Sequence, residues 1–179
     1  MPHMKTFSKN EIIIVNNVVS MAEELVSNHF KMSASEWLRP KYDVKTLIDL
    51  APEEIVHGPF AQIVRYEGHR GDTLFGSRVF DYYKICLQDH SIHSTLKKRA
   101  NLELFPFCLY IITHELIHIV RFSKFLQSFD ANPSEMLSEE KRVHENTHRI
   151  LHPVQISGMV EVLDFYKKWR QPLEGMRSR

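Results

Sequence analysis

The sequence predicts an α+β fold that is mostly helical, with a small antiparallel hairpin ahead of an apolar helix. Three observations support this class: apolar residues at helical spacing over residues 9–30, two strand-like segments within residues 32–90, and helical patterns from residue 89 almost to the end. The 179 residues, of which 43% are hydrophobic, are enough to bury one core. We therefore expect a single domain over residues 1–179.

The first predicted helix begins behind Ser8. Ser8 and Glu11 form the pattern of a capping box, in which each side chain accepts a hydrogen bond from the backbone N–H of the other residue. Apolar residues then recur at helical spacing as far as Val26. The β-branched run at residues 12–15 is also typical of a buried strand, which stays open as an alternative.

Glycine and proline divide the middle of the chain, residues 32–90, into short segments. Residues 60–66 and 79–87 contain the β-branched and aromatic residues that favour strands. The loop between them, residues 68–77, is rich in glycine. This arrangement predicts a β-hairpin.

Four helices are predicted after the hairpin. The first covers about residues 91–99, and the second opens at Pro106, where the missing N–H of proline costs nothing, and runs to about residue 127. Asn132 can cap the third helix, which starts at Pro133 and ends before Pro153. A last helix is expected over residues 158–169, ahead of a polar tail.

Composition and charge narrow the function classes. Lys and Arg number 23 against 22 Asp and Glu, so the net charge of +1 gives no general attraction to nucleic acid or anionic lipid. The apolar stretches fall well short of the roughly 20 residues that cross a bilayer, and the first residues lack the features of a secretory signal. Cys86 and Cys108 form neither a C-x-x-C pair nor a disulfide-dense pattern. We expect a cytoplasmic protein with reduced thiols that binds neither membrane nor nucleic acid.

An H-E-x-x-H motif carries the strongest functional signal. His114, Glu115 and His118 lie in a stretch that is otherwise uncharged and mostly apolar. Histidines at positions i and i+4 share one face of a helix, so both imidazoles can reach one tetrahedral zinc ion. The adjacent Glu can then act on a water molecule that the metal activates. Because a buried charged Glu between two buried His is costly without a compensating cation, we expect bound Zn²⁺.

The following predicted helix carries a second H-E-x-x-H match that starts at His144. Glu140, His144 and His148 recur at i, i+4 and i+8, so they share the helix face that also carries core-type apolar residues. A catalytic zinc site needs a third ligand besides His114 and His118. We predict His144 for that position and Glu140 as the next choice, with His148 also open.

The first motif and its partner helix resemble the zincin metallopeptidases, and particularly the small intracellular gluzincin-like ones. The resemblance covers about residues 60–151 and leaves the first sixty residues unmatched. In that family a Glu some twenty to thirty residues beyond the motif completes the zinc site, and here both Glu140 and His144 fall in that range. The resemblance implies a zincin-like metal-binding domain, a peptide or protein substrate, and an edge strand that holds extended substrate, a role that residues 79–87 would suit.

The leading hypothesis is a zinc-dependent hydrolase of the metallopeptidase type. In this hypothesis Glu115 is the general base that takes the proton of the metal-activated water. Glu140 and His148 are predicted to orient the ligands through hydrogen bonds. The predicted zinc ligands are His114, His118 and His144.

Two rival hypotheses use the same side chains. In the first, His148 joins the three histidine ligands and closes the site, which would make the protein a regulatory or structural metal-binding module without catalysis. In the second, Glu115, Glu140 and Glu145 hold two metal ions together with the histidines, as in carboxylate-bridged redox bundles. The strands expected in the middle of the chain argue against such a purely helical bundle.

Three further side chains have weaker claims on the site. Arg121 could stabilise an oxyanion, but an ion pair is the simpler interpretation. Tyr82 and Tyr83 could donate to a tetrahedral intermediate, but aromatic residues on strands mostly pack in the core.

Overall fold

Helices make up most of the described chain, and the computed structural model describes residues 3–33, 36, 42–69, 79–124 and 128–171. Within these residues the helices are α1 Lys9–Phe30, α2 Asp89–Lys98, α3 Leu104–Ser123, α4 Pro133–Leu151 and α5 Met159–Phe165. The strands are β1 Tyr42–Lys45, β2 Ala61–His69 and β3 Val79–Leu87. Short 3₁₀ helices cover Leu47–Asp49, Pro52–Glu54 and Lys167–Arg170. The predicted α+β class is confirmed at this level.

Helix α1 starts where its capping box predicts. The Ser8 hydroxyl accepts a hydrogen bond from the Glu11 N–H at 3.2 Å, and the Glu11 carboxylate accepts one from the Ser8 N–H at 2.7 Å. The helix is closed by Lys31, whose φ of 53° is left-handed. The strand alternative for residues 12–15 is wrong, because the cap and the burial of one helical face override the β preference of that run. The buried face consists of Val15, Val18, Ala22 and Val26.

The three strands form one mixed sheet in the order β1-β3-β2. Strands β2 and β3 are antiparallel, with Ala61 opposite Leu87, so the predicted hairpin is confirmed. Strand β1 was not predicted and lies parallel to the other side of β3, with Tyr42 opposite Tyr83, so the small antiparallel hairpin is part of a mixed sheet. Most of the predicted loop at residues 68–77 lies outside the described residues.

Strand β3 is central and therefore has no open edge. The interpretation of residues 79–87 as a substrate-holding edge strand is wrong, because β1 pairs with the side of β3 that the hairpin leaves open. Among the described strands the edges of the sheet are β1 and β2, and β2 is the edge that lies beside helix α3.

Helix α3 is the central helix of the fold and contacts α1, α4, α5 and both hairpin strands. All of its residues from Pro106 to Arg121 are buried except Glu115. By length and composition α3 could cross a membrane, but 83% of its apolar window is buried inside the fold, as in a core helix. The helix begins two residues before the predicted start and ends at Ser123, and the remainder of its predicted extent includes residues that are not described.

The later helices follow the predicted order. Asn132 caps α4 by accepting a hydrogen bond from the Glu135 N–H at 2.9 Å, and the Glu135 carboxylate accepts one from the Asn132 N–H. This capping box and Pro133 fix where α4 begins, and the helix ends two residues before Pro153. The predicted last helix divides into α5 and the 3₁₀ helix Lys167–Arg170.

Candidate metal centre

Helix α3 presents its two motif histidines on one buried face. His114 and His118 lie one turn apart, and their Nε2 atoms are 3.2 Å from each other. The His114 ring stacks on the Tyr110 ring, and the His118 ring stacks on the Phe122 ring. His114 Nδ1 is buried without a hydrogen-bond partner among the described residues, so ring packing orients this imidazole.

Glu140 on α4 reaches the same point from the neighbouring helix. One of its carboxylate oxygens lies 2.9 Å from His118 Nε2, and the other lies 3.2 Å from His114 Nε2. Burial alone would raise the pKa of Glu140, but the hydrogen bonds with His114 and His118 outweigh burial and hold that pKa far below its usual range. The carboxylate is therefore ionised where the two nitrogens converge.

These three groups fit the donor set of a metal ion. Their ligand atoms all lie within 4.8 Å of one another. In a tetrahedral site with bonds of roughly 2.0–2.1 Å, neighbouring ligand atoms are about 3.3 Å apart. The nearest observed separations of 2.9 and 3.2 Å are close to that value. Two imidazole nitrogens and a carboxylate oxygen also match the ligand types that zinc accepts.

His144, the predicted third ligand, lies beside this group. Its Nδ1 is 2.7 Å from the Tyr110 hydroxyl, and its Nε2 is 3.8 Å from the Glu140 carboxylate. The ring is buried and stacks on Trp169, with the centroids 4.5 Å apart. Burial, reinforced by His114, lowers the pKa of His144 to about 2, so the imidazole is neutral. Of the three candidates for third ligand, Glu140 is the one in contact with both motif histidines.

The second H-E-x-x-H match forms no second metal cluster among the described residues. Glu145 is exposed and pairs with Lys141 at 3.7 Å. His148 lines a different cavity of about 470 Å³, together with His152. The structure thus places His148 about two helical turns beyond Glu140, away from the ligands it was predicted to orient. No described contact joins it to His114, His118 or Glu140.

Glu115, the predicted general base, lines the same cavity as the grouped side chains. It is partly exposed there and makes no hydrogen bond or ion pair with a described residue. Burial raises the pKa of its carboxyl, and the neighbouring imidazoles of His114 and His118 oppose that rise. An unpaired carboxylate beside this candidate metal centre is available to accept a proton.

The cavity over the motif histidines has a volume of about 700 Å³, which is in the range of small-molecule and peptide sites. Strand β2 supplies one wall through Ala61, Gln62 and Ile63. Because β2 is an edge strand, its outer backbone groups have no strand partner among the described residues. The rest of the wall is largely apolar and includes Phe60, Phe122, Phe129, Met136, Tyr166 and Trp169.

Three aromatic residues that belong to the site were not predicted from the sequence. Tyr110 and Tyr166 stack with their ring centroids 3.8 Å apart, and Trp169 covers His144. Tyr110 stands four residues before His114, so helical spacing could have placed it on the motif face. Tyr166 and Trp169 follow α5, and no local pattern indicates which helix they meet.

The three side chains with weaker claims on the site, Arg121, Tyr82 and Tyr83, contribute to ion pairing and packing. Arg121 is buried and donates two hydrogen bonds to Glu139, at 2.8 and 3.0 Å, as expected for an ion pair. Tyr83 is buried and stacks on Phe122, which is core packing. Tyr82 lies next to Tyr66 across the hairpin. The lining of the motif cavity includes none of Arg121, Tyr82 and Tyr83.

Comparison of the chain with protein-family models, with curated proteins and with solved structures finds no match. Any functional assignment therefore depends on the chemistry of the residues themselves.

Proposed function

We propose that the protein is a zinc-dependent hydrolase of the metallopeptidase type. The observation that carries this proposal is the convergence of His114, His118 and Glu140 in an open cavity, with the unpaired Glu115 beside them. Catalytic zinc sites use three protein ligands and keep a position for water or substrate, whereas structural sites are closed by four protein ligands. Three converging groups that face a cavity correspond to the first kind.

In this proposal His114, His118 and Glu140 hold the metal. Glu140 replaces His144 as the proposed third ligand, because its carboxylate oxygens lie within 3.2 Å of the Nε2 atoms of His114 and His118. Two His and one Glu are also the ligand set that the resemblance to zincins implies. When bound, zinc supplies Lewis acidity, which lowers the pKa of water and polarises a substrate carbonyl.

Glu115 acts as the general base in this proposal. Its carboxylate accepts the proton that water loses on attacking the substrate carbonyl carbon, and it passes that proton to the amine nitrogen as the peptide C–N bond breaks. Like His114, Glu115 lines the cavity.

A peptide is the substrate class that the cavity suits best. The wall formed by β2 has an open backbone edge, and an extended peptide can add to such an edge as a further strand. Backbone hydrogen bonds would then hold the chain across the metal site. A small metabolite would make no use of this edge.

The rival closed site was predicted with His148, which lines a different cavity. A closed site in which Glu140 and His144 join the two motif histidines has one observation in its favour. His144 Nε2 lies 3.8 Å from the Glu140 carboxylate, and the His144 ring centroid lies 4.2 Å from that of His114. A small movement of His144 could add a fourth protein ligand, which would leave no position for water. His144→Gln separates the two: a catalytic site with Glu140 as third ligand keeps its zinc, whereas a closed site with four ligands loses affinity.

The proposal is tested with Glu115→Gln and Glu140→Gln, a matched pair in which each carboxylate becomes an amide of the same shape. Zinc content is measured by elemental analysis and hydrolysis by a fluorogenic peptide mixture. We expect the Glu115 variant to keep its zinc and lose about 10²- to 10⁴-fold in hydrolysis. The Glu140 variant should lose zinc as well as activity.

Two results would contradict the proposal. Full hydrolysis by the Glu115→Gln variant would exclude Glu115 as the base. A purified protein that neither contains nor takes up a divalent metal would exclude the whole assignment.

A further inference from the structure

We propose that the cavity accepts bulky apolar side chains from an internal segment of an extended peptide, and that Met136 at its mouth selects against acidic side chains. This inference rests on the proposed peptidase function and names the substrate class of that same site. Three observations carry it: an apolar wall on each side of the metal-binding group, the signs of the charges in the lining, and the exposure of Met136.

One apolar wall lies on the His118 side. The Phe122 ring stacks on His118 at 6.0 Å, and the Phe129 ring lies 5.3 Å beyond Phe122. Met136 also lines the cavity and is 53% exposed, so its side chain is accessible to a ligand. Helical spacing places Met136 one turn before Glu140, so both line the cavity from α4.

A second apolar wall lies on the His144 side. Trp169 stacks on the His144 ring at 4.5 Å, and Tyr166 and Phe60 continue the lining. A peptide bond held at His114 and His118 would therefore have an apolar surface on each side. Side chains on both sides of the scissile bond gain by leaving water for these walls.

The charged side chains that line the cavity disfavour the binding of acidic substrate groups. Apart from histidines, the charged residues among the described lining are the carboxylates Glu115 and Glu140. Arg65 on β2 lies over the Phe129 ring and pairs with Asp130 at 3.7 Å, and it does not line the cavity. Away from the proposed zinc ion, a substrate carboxylate would leave water and meet no Lys or Arg side chain in the described lining. Acidic side chains and a free C-terminus next to the scissile bond are therefore disfavoured, which favours internal cleavage.

The first test measures binding without catalysis. Dipeptide hydroxamates that differ in one side chain, Leu, Phe, Lys or Glu, are titrated into the zinc-loaded Glu115→Gln variant and followed by tryptophan fluorescence. We expect the Leu and Phe compounds to bind about tenfold or more tightly than the Glu compound, as for the loss of a well-fitted apolar contact. Equal affinities, or tighter binding of the Glu compound, would overturn the selectivity.

The second test changes the mouth of the cavity. Met136→Lys introduces a cation at an exposed position, and Leu137→Lys is its matched control, because Leu137 is 37% exposed on the same helix but does not line the cavity. We expect Met136→Lys to improve the affinity of the Glu hydroxamate relative to the Leu hydroxamate by about tenfold. Leu137→Lys should leave the ratio unchanged. A ratio that responds equally to both variants would exclude Met136 as the selecting residue.

Cleavage mapping of peptides with blocked and free termini completes the design. Wild-type protein should cut acetylated and amidated peptides as fast as free ones, next to bulky apolar residues. Release of single terminal residues would overturn the inference while leaving the hydrolase proposal intact. Zinc-loaded protein that binds no hydroxamate and cuts no peptide would instead overturn the proposed function itself.

Discussion

The hydrogen bond between Tyr110 and His144 decides which nitrogen of the His144 ring carries the proton. Its hydroxyl is buried, with the side chain 1% exposed, and lies 2.7 Å from His144 Nδ1. Either atom can be the donor, since a neutral imidazole carries its proton on one nitrogen. If Tyr110 donates to Nδ1, the proton of His144 is on Nε2, which then faces the Glu140 carboxylate as a donor and cannot bind a metal. If Nδ1 donates to Tyr110, Nε2 is left as a possible ligand.

Tyr110→Phe distinguishes these two arrangements. Removing the hydroxyl leaves the buried Nδ1 without its partner, so we expect a loss of about 1–2 kcal/mol in the free energy of unfolding. Zinc affinity should be nearly unchanged if Glu140 is the third ligand. A loss of zinc affinity of roughly 10- to 100-fold would instead indicate that Tyr110 orients His144 as a ligand. Urea unfolding and competition with a zinc-binding dye provide the two measurements.

The motif histidines could be predicted from sequence for a geometric reason. His114 and His118 are four residues apart in an apolar helix, and helix geometry alone brings their rings together. The choice between Glu140 and His144 depends on where α4 crosses α3. Both residues lie on one face of α4 a single turn apart, so periodicity treats them alike, and only the tertiary contact shows that Glu140 reaches both nitrogens.

At the scale of elements, a buried ion pair ties the connection between β1 and β2 to the sheet. Glu54, at the end of the 3₁₀ helix Pro52–Glu54, has a side chain that is only 4% exposed and lies 3.0 Å from the Lys84 ammonium on β3. The Cys86 thiol donates to the other Glu54 oxygen at 3.3 Å. This carboxylate therefore holds two residues of the central strand.

Glu54→Gln should reveal the contribution of this contact. The variant leaves the Lys84 charge largely buried without its partner, so we expect a loss of about 3 kcal/mol in the free energy of unfolding at neutral pH. Glu53→Gln is the matched control, because Glu53 is the exposed neighbour in the same turn. Urea unfolding of both variants gives the comparison, and equal losses in the two would contradict a special role for Glu54.

The same pair predicts a pH dependence with a definite sign. Burial would raise the pKa of Glu54, but hydrogen bonds with Lys84 and Cys86 outweigh burial and lower the pKa below 4.5. A carboxyl with a lowered folded-state pKa stabilises the protein above its unfolded-state pKa, and this stabilisation is lost as the pH falls through the folded-state value. The stability difference between wild type and Glu54→Gln should be full at neutral pH and shrink below about pH 4.5. If the stability difference between wild type and Glu54→Gln stayed constant in acid, the pKa of Glu54 would not be lowered.

The elements that sequence could predict are those with local signals. Capping boxes at Ser8 and Asn132 mark two helix starts, and helical periodicity extends behind each of them. Strand β1 has only four residues and no alternating pattern, and its partner β3 lies some forty residues further along the chain. Because that pairing is parallel and distant, no local feature indicated that β3 would be central and β2 an edge.

At the scale of the whole molecule, the candidate site joins parts of the chain that lie far apart in sequence. His114 and His118 come from the central helix α3, Glu140 comes from α4, and the cavity wall comes from β2. An unfolded chain would not hold these groups at 3 Å separations. A metal that needs all three ligands therefore binds the folded state and adds its binding free energy to folding.

Zinc should consequently raise the melting temperature by an amount that depends on Glu140. At a free zinc concentration of 100 times Kd, binding to the folded state alone contributes about 2.7 kcal/mol. For a chain of this size each kcal/mol moves the melting temperature by roughly 2–4 °C, so we expect an increase of roughly 5–10 °C. Glu115→Gln should keep this increase and Glu140→Gln should lose most of it, although both substitutions remove one carboxylate from the same cavity. Calorimetry with and without zinc makes the comparison, and an equal response from the two variants would mean that zinc acts on the surface charge and that Glu140 is not a ligand.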